Sequence, residues 1–411
     1  CFRMKKKIII GLIIVIVLIS ITFLVIYLNN RIVDDNSGFT LKDDLTAEVY
    51  SEVKPSDFIN KIKGKIISED DIKTKKLGKT EVSFIYLNSD DKKRRGTFEV
   101  SVVDTEKPLV WLNSSYRTLL GSDIDLEGTI MCVDNYDSDP SCQILGDYDI
   151  NTEGTYPLNF VAEDSSGNVF SKNFNLVVYT EDESSTTNSS ASSDEPKPAT
   201  NFSDVLANYK NDETEVGIDV SRYQGDVDFA KVKEAGATFV MIRAGYQNGT
   251  GGDYVLDPYF ESNIKSALNN KLKVGVYFYS YADSKQEAKK QAKWVIKQIK
   301  KYDISLPVVF DFESFKAFNE MDLSIFGLNE IADTFINTVE DAGYNGVLYG
   351  SKNYLKSIWK YHTKSVWLAH YTSQTDYDGE YFMWQMCDDG VIDGINGYVD
   401  IDILYKNSRK D

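Results

Sequence analysis

Histidine is almost missing. His362 and His370 are the only two in 411 residues. Neither stands in an HxxxH or Cys/His spacing, which excludes the zinc sites expected of an amidase or deacetylase. An excess of positive charge is missing too. The chain has 45 Lys and Arg against 63 Asp and Glu, a net charge of −18 with a pI near 4.7. A phosphate backbone is repelled by that balance, so nucleic acid is not an expected partner. Cysteine is sparse, with four residues. Cys132 and Cys142 lie close enough for a disulfide across a short loop in an oxidising setting, or they stay as two thiols. Cys387 has no evident partner there.

One long apolar run is present. Lys5, Lys6 and Lys7 precede Ile8–Leu28, interrupted only by Gly11, Ser20, Thr22 and Tyr27. About 20 helical residues span a bilayer, and the lysines should remain inside. The following "YLNNRIVDD" offers no small-x-small cleavage site, which favours an uncleaved anchor over a signal peptide. The expected layout is residues 1–7 inside, a single pass over 8–28, and everything beyond on the outer face of the cell membrane, toward the cell wall.

Residues 30–107 carry alternating runs, "EVSFIYL" and "GTFEVSVVD", that read as half-buried strands. Residues 108–179 repeat the plan: "DIKTKKLGKTEVSFIYL" (71–87) lines up with "DINTEGTYPLNFVA" (149–162). Two small all-β sandwich modules in tandem are expected. The second contains "LNFVAEDSSGNVFSKNFNLVVY" and resembles bacterial immunoglobulin-like surface modules. Such modules act as spacers or touch the wall. Residues 180–214 begin with a Ser/Thr/Asp/Glu/Pro-rich stretch with almost no large apolar side chains, and read as a disordered linker.

From about Val216 to residue 407 the texture changes. Eight strand-like runs, "VGIDV", "TFVMIRA", "KVGVYFY", "PVVFDF", "GVLYG", "SVWLAH", "YFMWQM" and "YVDIDIL", alternate with helical stretches. In "SKQEAKKQAKWVIKQIKKY" the residues Ala288, Ala292, Val295 and Ile299 share one helical stripe. This is the pattern of a β/α barrel, irregular because about 195 residues are few for eight full units. The helices after the fifth strand are the expected losses.

A parallel barrel works at the C-terminal ends of its strands. Asp219 closes the first run, Asp311 and Glu313 close "PVVFDFE", and Asp400 lies in the last. Residues i and i+2 share a strand face, so Asp311 and Glu313 point the same way. Two adjacent carboxyls cannot both ionise freely, and at least one keeps a proton to a higher pH. A protonated acid beside an ionised neighbour is the machinery of glycosidic bond cleavage. Each acid alone could equally be a helix cap, and the group could instead hold Mg²⁺ or Ca²⁺. Tyr246, Tyr277, Tyr279, Tyr349, Trp367, Tyr371 and Trp384 fall at or near strand ends, where aromatic faces could pack on sugar rings or serve as core. Cys387 with His370 would be a thiol peptidase pair, but no helix N-terminus stands by to activate the sulfur.

Together "VGIDVSRYQGDVDFAKVKEAGATFVMIRAGY" (216–246), "KVGVYFYS", "PVVFDFES", "WLAHY" and "MWQMCDDGVIDGINGYVDID" (383–402) resemble the glycoside hydrolase family 25 lysozymes. The resemblance implies an irregular β/α barrel that cuts the β-1,4 bond between N-acetylmuramic acid and N-acetylglucosamine in peptidoglycan glycan strands, with neither cofactor nor metal expected. It assigns Glu313 as proton donor, with Asp311, Asp219 and Asp400 beside it. Trp384 and Gln385 match the family's "W-Q" pair, and Tyr246, Tyr279, Tyr349, Trp367 and Tyr371 are expected around the substrate. Two positions depart from the pattern: Cys387 stands where a small hydroxyl residue is usual, and Asp402 where Asn is. A barrel that binds wall but has lost catalysis is the alternative from another class.

Overall fold

A computed structural model describes residues 32–180 and 199–409. The apolar run 8–28 and most of the expected linker lie outside the described residues. Among the described residues, no helix is long and apolar enough to cross a membrane. The chain divides into two compact units, ending and beginning at Thr105 and Glu106.

The first unit is built on a long hairpin, Gly78–Leu87 with Lys93–Val103. Val82, Phe84 and Tyr86 alternate inward, and with Phe39, Phe58, Phe98 and Val100 they make the core. This is the half-buried strand pattern read from "EVSFIYL".

The second unit opens with residues 109–179. Their main sheet runs Ser141–Leu145, Gly154–Glu163, Val169–Tyr179, Ser115–Leu119, and a separate two-stranded ladder pairs Leu109–Trp111 with Met131–Val133. The hairpin again joins strands of 10 and 11 residues, the same lengths as in the first unit. At its turn the Asp164 carboxylate accepts from the backbone N–H of Ser166 and Asn168, both at 2.9 Å, and Gly167 takes φ +87. That left-handed position suits glycine.

The rest of the second unit is a closed barrel. Its strands are β1 (Thr214–Val220), β2 (Phe239–Gln247), β3 (Lys273–Tyr279), β4 (Val308–Asp311), β5 (Gly346–Ser351), β6 (Val366–Ala369), β7 (Tyr381–Val391) and β8 (Val399–Arg409). β1 to β7 pair in parallel, in order; β8 runs antiparallel to both β7 and β1 and closes the ring. The barrel is therefore not all-parallel, and Asp400 stands near the start of its strand. Because β8 is reversed, its beginning meets the C-terminal ends of its neighbours, and Asp400 pairs in register with Asp219.

Period-two alternation sorts the side chains. Phe239, Met241, Val309, Val347, Tyr349, Trp367, Met383 and Leu404 fill the barrel interior, while Val240, Ile242, Val308, Phe310, Leu348, Leu368 and Ile403 face the helical layer. Gly217 is required on β1, because a Cβ there would lie 2.5 Å from the Phe239 carbonyl oxygen. The outer helices include α1 (Phe202–Tyr209), α2 (Phe229–Glu234), α3 (Phe260–Asn269), α4 (Lys285–Ile299), α5 (Phe315–Asn319), α6 (Ile325–Glu340) and α7 (Lys352–Ser357). In α4, Ser284 accepts from the Glu287 N–H as N-cap, and Ala288, Ala292, Val295 and Ile299 are its buried stripe. After β5 only the six-residue α7 follows, and no helix connects β6 to β7.

The linker expected over 180–214 is too long at its C-terminal end. Residues Thr200–Asn201 pair with β7, and α1 buries Phe202 and Val205 against the barrel. The spacing of Phe202, Val205 and Tyr209 is a helical stripe that directly follows the Ser/Thr/Asp/Glu/Pro-rich stretch and is easily counted with it.

Candidate active site

The mouth is assembled from residues at the strand ends and from the loops that follow β1, β2, β3 and β4. It opens into a cleft of about 440 Å³ whose lining includes Arg222, Tyr246, Tyr279, Asp311, Glu313 and Asp400. Asp219 on β1 is 4% exposed and accepts from Gln385 Nε2 at 2.8 Å. Asp311 ends β4, also 4% exposed. Glu313 lies two residues past the strand and is open to solvent through the mouth. The Asp311 and Glu313 carboxyls hydrogen-bond to each other.

Burial dominates the electrostatics of every acid here. It holds Asp311 well above the ordinary carboxyl range, with the Glu313 charge adding to the effect. It raises Glu313 as well, opposed by the hydrogen bond from Asp311. Asp400 is pushed up to about 9 by burial, then by Asp219, Asp388 and Glu313. Asp219 is raised by burial and by Asp402. The mouth therefore retains protons at a pH where exposed carboxyls have lost theirs, which is what a general acid requires. Among the described residues, these acids do not form a set of three or more ligand atoms mutually within 4.8 Å, so their geometry does not favour the Mg²⁺ or Ca²⁺ reading.

Gln385 is the hub of the mouth. Besides its bond to Asp219, its Oε1 accepts from the Tyr349 hydroxyl at 2.8 Å and the Tyr371 hydroxyl at 3.3 Å. Tyr371 is 53% exposed at the rim. Tyr279 and Tyr246 are half-buried on the cleft wall, and Tyr246 accepts from Arg222 Nη1 at 3.2 Å.

Two expected substrate contacts are placed elsewhere. Trp367 points into the barrel, 2% exposed, wedged between Tyr277 and Tyr349, and donates from Nε1 to Asp402 at 2.9 Å. Trp384 faces the opposite side of its strand from Gln385, as adjacent strand residues must. It packs on Tyr209 of α1 and donates to the His370 carbonyl oxygen at 2.8 Å. Neither indole presents a face to the cleft. Cys387 belongs to the same outward layer, 7% exposed, with its thiol pushed up to about 12 by burial. A thiol held protonated and away from the mouth is no nucleophile, which removes the thiol peptidase reading. Cys132 and Cys142 are joined as a disulfide.

Sequence reasoning missed three residues. Arg243, inward on β2, forms a buried ion pair with Asp257 at 2.8 Å. Asp257 also accepts from the Arg222 backbone N–H at 3.0 Å, so this pair fixes the loop after β1. A lone cation inside the apolar run "TFVMIRA" was the available signal. Asp402 stands out in the sequence only as a departure from the family pattern, with no role attached. It is fully buried, accepts from Trp367 Nε1, and its charge raises Asp219.

Residues 218–395 match the family model of glycosyl hydrolases family 25. The chain is 30% identical over 193 residues to "Uncharacterized protein YegX" of Escherichia coli (strain K12), covering 46% of this chain and 68% of that protein. It is 29% identical over 189 residues to the "Autolytic lysozyme" of Clostridium acetobutylicum, covering 45% of this chain and 54% of that one. A shorter match, 38% over 72 residues, relates it to the "N,O-diacetylmuramidase" of Arthroderma benhamiae, covering 18% of this chain and 28% of that protein.

Proposed function

The chain belongs to glycosyl hydrolases family 25, and from that premise we propose that it is a membrane-anchored peptidoglycan hydrolase cutting between N-acetylmuramic acid and N-acetylglucosamine. It is a glycoside hydrolase; the bond and the setting are the proposal. Relatives named as a lysozyme and a muramidase support the choice of substrate.

The observation that carries the reading is the Asp311–Glu313 pair. Glu313 is reached through the mouth, and partial desolvation of its carboxyl there raises it above the ordinary glutamate range. It donates its proton to the glycosidic oxygen as the leaving sugar departs. Asp311, beneath it and hydrogen-bonded to it, orients the 2-acetamido group of the substrate as an internal nucleophile, which retains configuration. Asp219, held by Gln385, and Asp400 hold substrate and water on the opposite wall. Arg243 Nη2 and Asp311 Oδ1 are buried polar atoms without a protein partner, and they offer the sugar a donor and an acceptor.

Residues 8–28, preceded by three lysines, are proposed as the membrane span, with the enzyme outside facing the wall. The β module of 108–179 keeps its proposed kinship with immunoglobulin-like surface modules on the strength of its "DSSGN" hairpin.

The test is digestion of purified cell walls with analysis of the new reducing ends. Muramic acid ends are expected, and Glu313→Gln should lower the rate by about 10²–10⁴-fold. Full activity in that variant removes Glu313 from the acid role. New glucosamine ends would overturn the assignment of the bond.

A further inference from the structure

Glu313 lies beyond the last ladder-paired residue of β4, so the sheet does not hold its backbone. What holds it is the segment that follows, and that segment leans on the β module of residues 109–179. Ser314 caps α5, whose last residue, Asn319, donates from Nδ2 to the Ile130 carbonyl oxygen at 2.9 Å. The same side chain accepts from the Cys132 backbone N–H at 3.2 Å. At the start of α6 the backbone N–H groups of Ile325 and Phe326 donate to the carbonyl oxygens of Asp134 at 2.7 Å and Asn135 at 3.3 Å. On the near side Trp111 packs edge-on against Tyr354, ring centroids 5.2 Å apart, and against Phe315 at 6.2 Å. The Tyr354 hydroxyl donates to the carbonyl oxygen of Glu313 itself at 2.6 Å.

These are not the contacts of a spacer. Met131 and Val133 are 0% and 3% exposed and belong to the same apolar cluster as the barrel's outer layer. A spacer meets its neighbour through a wet, polar surface. Here the module contributes core, and it grips α5, which follows directly on the catalytic pair, together with the start of α6 and Tyr354 of α7. An acid that must lie within about half an ångström of its working position needs such support.

We propose that this β module is a working part of the active site, with Trp111 and Asn319 acting through Tyr354 and α5 as positioning residues for Glu313. The inference rests on Glu313 being the acid of the reaction proposed above.

The test uses the full chain in four forms: wild type, Trp111→Ala, Trp111→Phe and Tyr354→Phe. Two readouts are taken: kcat and KM on cell-wall peptidoglycan, and titration of the Glu313 carboxyl by ¹³C NMR, its signal assigned with Glu313→Gln. Trp111→Ala should lower kcat about 10–100-fold while KM moves less than about threefold, since a displaced acid damages the transition state more than binding. The Glu313 titration should fall toward the ordinary glutamate value as water enters behind it. Trp111→Phe should restore most of both, and Tyr354→Phe should shift the titration in the same direction. Wild-type kcat and an unmoved titration in both Trp111→Ala and Tyr354→Phe would overturn the inference. Should Trp111→Ala fail to fold, Tyr354→Phe decides alone, because it removes one hydroxyl and keeps the ring. A wild-type protein that releases no muropeptide sinks the proposed reaction, whereas the titration still reports whether the module positions Glu313.

Discussion

Asp400→Asn should stabilise the catalytic unit increasingly as pH rises. In the folded protein burial, then repulsion from Asp219, Asp388 and Glu313, pushes this carboxyl from 3.8 up to about 9. Unfolded, it ionises near its ordinary value. The folded state therefore binds the extra proton, and stability must fall with pH wherever only the unfolded state has lost it. The contribution is fully present below about pH 3.8 and drains away as pH approaches 9. Within that window one group changes stability by about 1.36 kcal/mol per pH unit, or about 4 kcal/mol between pH 5 and pH 8. Water reaches part of Asp400 through the mouth, so about half of that is the working expectation. Asparagine cannot titrate, and the gap between variant and wild type isolates this one group while the other acids titrate in both. Urea unfolding followed by tryptophan fluorescence suits the measurement: Trp111, Trp294, Trp359, Trp367 and Trp384 all lie in the second unit and none in the first. The variant should gain about 2 kcal/mol on the wild type from pH 5 to pH 8. A gap that stays constant across that range means Asp400 is already ionised in the fold, and the account of the mouth as a proton-retaining site is then wrong.

Iodoacetamide at pH 7.5 should leave wall digestion unchanged, because the Cys387 thiol is buried in the outer layer and held protonated; progressive inactivation of the native protein would place a reactive thiol at the site. Arg243→Met strands Asp257, whose side chain is 1% exposed, and releases the loop that carries Arg222. It should cost about 3–5 kcal/mol in urea unfolding, and a loss below about 1 kcal/mol would show that the backbone donors to Asp257 suffice without the guanidinium.

The eight strands were legible because each rests on a local rule, as were Asp219 and Asp311 at the ends of theirs, whereas Asp400 reaches the same mouth from the start of a reversed strand. Apolar β-branched runs mark buried strands, and although one carboxyl at the end of such a run can be a helix cap, several on converging strands are harder to explain that way. What was illegible depended on partners distant in sequence. Trp367 and Trp384 sit at strand ends as a sugar platform would, yet one faces the barrel interior and the other the helix layer. Strand phase decides this, and phase is set by the register of the neighbouring strands. Asp402 looks like an echo of Asp400, two residues on and on the same face. Its burial follows from the reversal of β8, which sends successive inward residues down into the barrel and away from the mouth. That reversal is a property of ring closure and has no signature in "YVDIDIL".

The linker and the β module show the same limit at a larger scale. Composition separates residues that cannot fold alone from residues that can, and it cut the chain between 180 and 214. It cannot say that two pieces on either side of a linker share a core. Met131 and Val133 read as ordinary strand residues of a small β module; their burial against the barrel appears only when both are present. A preparation cut at the linker would therefore expose apolar surface on α5 and α7 and release the backbone bonds to Ile325 and Phe326. Glu313 would keep its identity and its neighbour Asp311 while losing support on the side where the sheet gives none. The acids supply the chemistry, but where the proton is delivered depends on a part of the chain that composition assigns to another domain.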